Sequence, residues 1–207
     1  MLAAAILAGG AARRLGGAAK ALLPLGDRRI IDRQLAALHA VTRTVFIVAP
    51  DPAPYAELGL RVVPDAVDGA GALGGVYTAI VESPARRTIV LACDLPFVTA
   101  ALFRALAAPE RAAADLVIPR TARGLEPLCA VYGKACAAPI LERIRRGALQ
   151  ASELAADVRV AEIGPDVLAA IDDDGRLFAN VNTPHDYARA GALIELKPDP
   201  AQDRITE

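Results

Sequence analysis

Apolar positions gather into short unbroken runs separated by stretches of helical period. The run 2–7 is apolar throughout and closes on Gly9 and Gly10, as expected of a strand buried on both faces. Ile30, Ile31, Leu35, Leu38 and Val41 then recur at helical spacing, which predicts a helix over 30–41. Two further buried runs, 45–49 and 60–63, stop at Pro50 and at Pro64-Asp65. A helix over 75–81 follows, then a fourth strand over 88–92 that closes on Cys93-Asp94. The next helix occupies 99–107, with Thr99 as its N-cap.

From Asp115 the rhythm changes. Runs 116–119 and 128–132 are strand-like and separated by a polar loop bearing a glycine, so they suit antiparallel pairing. A basic-ended amphipathic helix spans 135–146, in keeping with the helix macrodipole. Strands are predicted at 158–163 and 177–181, on either side of a solvated turn at 172–175. Thr183 caps a last helix, and the polar stretch 197–207 reads as a frayed tail. Alternation of strand and helix implies a three-layer α/β fold with a mostly parallel twisted sheet and an antiparallel portion in the second half. One domain is expected over 1–196, divided into halves of about 1–110 and 111–196.

Composition narrows the function. At 207 residues and 54% hydrophobic content the chain can bury a large core. Lys and Arg number 23 against 24 acidic residues, and aromatics make up 4%, which disfavours nucleic-acid binding by charge or by base stacking. The run 1–8 is too short for a membrane span, and no later stretch reaches the 18 apolar residues a span requires. Cys93, Cys129 and Cys136 form no CxxC pair, so they read as small buried hydrophobes in a reducing cytoplasm.

Candidate chemistry concentrates at the strand ends, where doubly wound sheets bind ligands. The stretch 7–20, LAGGAARRLGGAAK, follows the first strand directly. Its glycines let backbone approach a ligand, its amides suit phosphate oxygens, and Arg13, Arg14 and Lys20 suit a polyphosphate. A flexible Ala/Gly linker is the blander alternative. CDLPF at 93–97 sets Asp94 just beyond a buried strand, as a hard oxygen ligand for Mg²⁺ or, more plainly, as a helix cap. Residues 69–74 spell GxGxxG, a literal dinucleotide fingerprint, but they do not open directly from a strand. His39 and His185 read as ordinary helix or surface residues.

The loop resembles the LAGGxSxRMGxxK motif of nucleotidyltransferases that activate cofactors and sugars, with Ala12 and Leu15 departing from it. Gly10, GALGG at 71–75, EPLCAVY at 126–132 and NVNTPHD at 180–186 resemble the molybdenum cofactor guanylyltransferases in particular. The resemblance implies a Rossmann-like fold and Mg²⁺-dependent transfer of GMP from GTP to the terminal phosphate of molybdopterin, with release of pyrophosphate. It assigns catalysis to Arg14, Lys20 and Asp94, and the metal to Asp94. It assigns the nucleotide to Leu7, Ala8, Gly9, Gly10, Lys20, Asp65, Gly74 and Asp94. The acceptor falls to Asn180 and Asn182, and Asn182-Thr183-Pro184 also reads as a helix start. GTP, molybdopterin and transient contacts with molybdoenzymes or their chaperones are the expected partners. Relatives commonly carry an Asn after the second strand, where this chain has Val48-Ala49-Pro50-Asp51, so guanine competes with cytosine as the base. A sugar-phosphate nucleotidyltransferase and a non-catalytic molybdopterin carrier are the other readings.

Overall fold

The computed structural model describes residues 1–9, 19–172 and 174–196. The first half carries strand β1 (Leu2–Leu7), the short hairpin β2 (Pro24–Leu25) and β3 (Arg28–Arg29), and helix α1 (Ile30–His39). Strands β4 (Val45–Val48) and β5 (Arg61–Val63), helix α2 (Gly71–Glu82), strand β6 (Arg87–Ala92) and helix α3 (Ala100–Ala107) complete it. The second half comprises β7 (Leu116–Thr121), β8 (Gly124–Leu125), β9 (Cys129–Gly133) and α4 (Ala137–Arg145). Strand β10 (Val160–Ile163), α5 (Pro165–Ala169) and α6 (Pro184–Leu196) end the described chain.

The main sheet runs β10-β7-β9-β6-β1-β4-β5, with β8 hydrogen-bonded to β7. Strand β9 lies antiparallel to both β6 and β7, while β1 pairs in parallel with β4 and with β6. The expected antiparallel pair of 116–119 and 128–132 is therefore present, and β9 is inserted between β7 and the parallel half. From β1 the chain fills one side through β4 and β5, then crosses to the other side for β6. That reversal opens a crevice beyond the carboxyl ends of β1 and β6.

Side chains alternate cleanly across the strands. Ala4, Ile6, Val45, Ile47, Ile89 and Leu91 face one core, with Ile31 and Leu38 of α1 and Leu102 and Phe103 of α3. Ala5, Phe46, Val48 and Val90 face the other, with Leu73, Val76 and Ile80 of α2 and Ile140 of α4. Helices on both faces explain why the central strands read as unbroken apolar runs. Helix α6 packs Ala190 and Ile194 with Leu25 and Ile30 of the hairpin region, and with Phe97 and Val181.

Two expectations need correction. The run 177–181 is not a strand. Leu177, Phe178 and Val181 are buried, but the backbone turns instead of pairing, with the Ala179 amide donating to the Arg176 carbonyl and that of Val181 to the Asp94 carbonyl. The helix expected from residue 75 begins at Gly71. Gly69 and Gly71 take φ of 73° and 56°, left-handed values that glycine adopts without strain. Within the helix, a Cβ on Gly74 would lie 2.9 Å from Ala70 Cβ and 3.2 Å from the Val67 carbonyl oxygen. Glycine there is a packing requirement.

Gly74→Ala is expected to destabilise the protein by about 1–2 kcal/mol in chemical denaturation, because overpacking outweighs the gain in helix propensity. Gly191→Ala in α6, where nothing lies within 4 Å of the added methyl, is expected to gain about 0.5–1 kcal/mol. Equal effects at the two positions would contradict the packing account.

Candidate active site

The crevice at the β1/β6 ends has a volume of about 530 Å³. Leu7 and Gly9 follow β1 into it, Asp65 enters after β5, and Ala92, Cys93 and Asp94 enter after β6. Lys20, which follows the loop after β1, and Asn182, just before α6, complete its lining.

Asp94 is held from several directions. Its neighbour Cys93 donates its amide to the Leu7 carbonyl at 3.1 Å, and the Asp94 carbonyl accepts the Val181 amide at 2.9 Å. Gln34 of α1 donates its side-chain amide to the carbonyls of Ala92 at 2.8 Å and Leu95 at 3.0 Å. The helix that follows is capped by Thr99, whose hydroxyl accepts the Leu102 amide, so Asp94 is left to face the cleft. Burial pushes the Asp94 carboxyl above its ordinary value, and the Lys20 ammonium, 3.7 Å from Oδ2, opposes that shift. Lys20 also donates to Asn182 Oδ1 at 2.6 Å, so three segments far apart in sequence meet at one ammonium group. Burial lifts the Cys93 thiol to about 12, which makes it an inert wall residue.

Asn182 owes its position to the start of α6. Asp186 Oδ2 accepts the amides of Asn182 and Thr183, while the Thr183 hydroxyl accepts the Asp186 amide. The segment is therefore a helix start that also places Asn182, but not Asn180, in the crevice.

Asp65 is only partly compensated, with Thr78 opposing the upward shift of its carboxyl. Its Oδ1 is buried with no hydrogen-bond partner, and burial together with nearby Asp68 raises its pKa. Gly75 allows α2 to come this close, since a Cβ there would lie 3.2 Å from Leu7 Cδ1 and 3.7 Å from Asp65 Oδ1. No side chain caps α2, and Gly71 and Ala72 of its first turn line the crevice.

Among the expected site residues, the crevice brings together Leu7, Gly9, Lys20, Asp65, Asp94 and Asn182. Ala8, Gly74 and Asn180 do not line it. Ala8 donates its amide to the Val48 carbonyl, Gly74 packs on 67–70, and Asn180 is half-buried beside Val181. Gly10 and Arg14 lie outside the described residues. Asp68 and Gln34 were not foreseen, and Gly75 was named only within the GALGG segment, although a polar residue amid the apolar stripe of α1 was a readable signal at Gln34. No cluster of three or more His, Cys, Asp or Glu residues suited to a metal occurs among the described residues. Mg²⁺ does not require one, since it takes one or two carboxylates with waters and substrate phosphates. A partly exposed carboxylate whose burial is incompletely offset by a single ammonium fits that demand. None of the described helices is long and apolar enough to cross a membrane.

A mostly parallel sheet with a switch-point crevice, a desolvated Asp and a Lys beside it is the arrangement in which doubly wound α/β proteins bind their ligands. Residues 4–160 match the family model of the MobA-like NTP transferase domain, and the chain belongs to that family of nucleotidyltransferases. It is 36% identical over 190 residues to a probable molybdenum cofactor guanylyltransferase of Pelotomaculum thermopropionicum, covering 92% of each chain. It is 32% identical to a molybdenum cofactor guanylyltransferase of Desulfosudis oleivorans, covering 92% of this chain and 94% of the relative. The crystal structure of molybdopterin-guanine dinucleotide biosynthesis protein A from Archaeoglobus fulgidus superposes with a TM-score of 0.79 at 25% identity, covering 95% of this chain and all of that one.

Folding raises the Asp65 pKa, so the native chain holds that proton more tightly than the unfolded one. Its stabilising effect is full below the ordinary value of 3.8 and is lost as pH rises through the raised native value. Asp65→Asn is therefore expected to melt above the parent at neutral pH, with the difference vanishing in acid below 3.8. A parent that melts higher at neutral pH would contradict a net cost of ionising Asp65 in the fold.

Proposed function

We propose that this protein transfers GMP from GTP to the terminal phosphate of molybdopterin, releasing pyrophosphate. The observation that carries the reading is the meeting of Lys20, Asp94 and Asn182 at the switch point, beside a buried Asp65 oxygen that lacks a partner. The names of the relatives supply the acceptor and the base.

The acceptor phosphate oxygen attacks the α-phosphorus of GTP, and the bond from that phosphorus to the β-bridging oxygen breaks. A phosphate nucleophile is already ionised at neutral pH, so no general base is required. Positioning and charge neutralisation carry the catalysis. Asp94 is the residue that would hold Mg²⁺, which when bound supplies positive charge to the triphosphate and the departing pyrophosphate. The Lys20 ammonium has three donors; one reaches Asn182, which leaves others for phosphate oxygens. Gly9 provides close backbone approach, and the loop motif assigns Gly10 and Arg14, outside the described residues, to the same phosphates. Asn182, fixed by the α6 cap, faces the acceptor side. Asp65 offers a carboxylate to the base, and guanine presents adjacent N1–H and 2-amino donors to such an acceptor, whereas cytosine does not. That contrast favours GTP over CTP even though Val48-Ala49-Pro50 lacks the Asn common in relatives.

Purified protein incubated with molybdopterin and Mg²⁺ is expected to release pyrophosphate from GTP and much more slowly from CTP. Asp94→Asn is expected to lower that rate by at least ~10²-fold without lowering the melting temperature. Lys20→Ala is expected to weaken GTP binding by about tenfold in calorimetry. GTP binding without any pyrophosphate release would instead identify a carrier, and equal rates with CTP would remove the role given to Asp65.

A further inference from the structure

The side chain of Gln34 is fully buried on α1, amid Ile30, Ile31 and Leu38 on the helix's apolar stripe. It does not bond within its own helix. Its Nε2 reaches the 92–95 turn and donates to two carbonyls, those of Ala92 and Leu95, two residues before and one residue after Asp94. Its Oε1 is buried with no hydrogen-bond partner. A group serving stability alone has little reason to be an amide with one orphaned end, because that end carries an uncompensated desolvation cost. Residues that break local rules of polar satisfaction concentrate where function demands them.

We infer that Gln34 is a positioning residue, which sets the direction of the Asp94 carboxylate and through it the metal affinity of the nucleotide complex. The inference rests on the reading of Asp94 as the metal-holding residue. The amides of Cys93 and Val181 tie residues 93 and 94 to β1 and to the segment before α6. Each of these bonds holds its peptide plane by one atom. Gln34 adds a second anchor to the plane between residues 92 and 93 and also holds the plane that follows Leu95, so the backbone is fixed on both sides of Asp94 and its side chain is kept towards Lys20 and the crevice. Outer-shell partners of this kind hold a ligand in line without touching the metal.

Gln34→Met preserves length and apolar fit while removing the donor. The decisive readout is the Mn²⁺ concentration that gives half of the GTP-induced rise in melting temperature, with Mn²⁺ as the probe ion. That concentration is expected to rise roughly tenfold in Gln34→Met, while GTP affinity measured without metal stays at the parent value. Gln34→Asn is too short to span both carbonyls. It is expected to shift the same midpoint in the same direction, and it decides the matter if Gln34→Met does not fold. A lower melting temperature with an unmoved Mn²⁺ midpoint would overturn the inference and leave Gln34 a packing residue. A parent protein whose GTP complex shows no response to Mn²⁺ would overturn both this inference and the metal role of Asp94.

Discussion

The structure depends on keeping a carboxylate partly out of water at the end of a buried strand. Asp94 follows β6, the strand that lies beside β1 at the centre of the sheet, and its side chain is 22% exposed. Such a charge is costly unless it is compensated. Lys20 compensates in part, and the ammonium is in turn held by Asn182 from the start of α6. One electrostatic contact thus ties the loop after β1, the end of β6 and the approach to the last helix. Each arrives by a different route: a short helical turn at Lys20–Leu22, a turn braced by Gln34, and a capping box at Thr183 and Asp186.

The same logic applies with less compensation at Asp65. Its orphaned oxygen and its proximity to Asp68 cost stability in the free protein, and that cost is what a ligand donating hydrogen bonds would relieve. Small residues make the arrangement possible. Gly75 and Ala5 of β1 let α2 lie close to the strand end that carries Leu7, so the wall of the crevice is backbone and short side chains. A larger residue at 75 would meet Leu7 and crowd Asp65 at once. Here packing and chemistry make the same demand on the sequence.

Much of the fold was legible because the central strands are covered on both faces. Burial on two sides forces runs such as 2–7 and 45–49 to be apolar throughout, and no other element of that length reads the same way beside proline and glycine stops. Pairing order was less legible. Nothing in the period of 128–132 says that it slots between β6 and β7, because partner choice depends on edges exposed by the rest of the sheet. Residues 177–181 have the composition of a strand, but their backbone groups are spent on turns and on Asp94. The glycines of 69–75 spell a dinucleotide fingerprint, whereas left-handed geometry uses two of them and close packing of α2 against the preceding loop and β1 uses two more. In the crevice, Asp94 and Lys20 stood out as polar groups at a strand end and in its loop. Gln34 was visible as a polar residue on an apolar stripe, but its partners were not, since it reaches across to the turn after another element.

The most direct measurement is a crystal structure with Mn²⁺ and a GTP analogue whose α–β bridge cannot be cleaved. The account predicts an anomalous peak at coordination distance from an Asp94 carboxylate oxygen, with the triphosphate beside Lys20 and the base towards Asp65. A second groove of about 630 Å³ lies between the Thr121–Arg123 turn, α5 and α6. Nucleotide seated there, with Asp94 free of metal, would contradict the central claim.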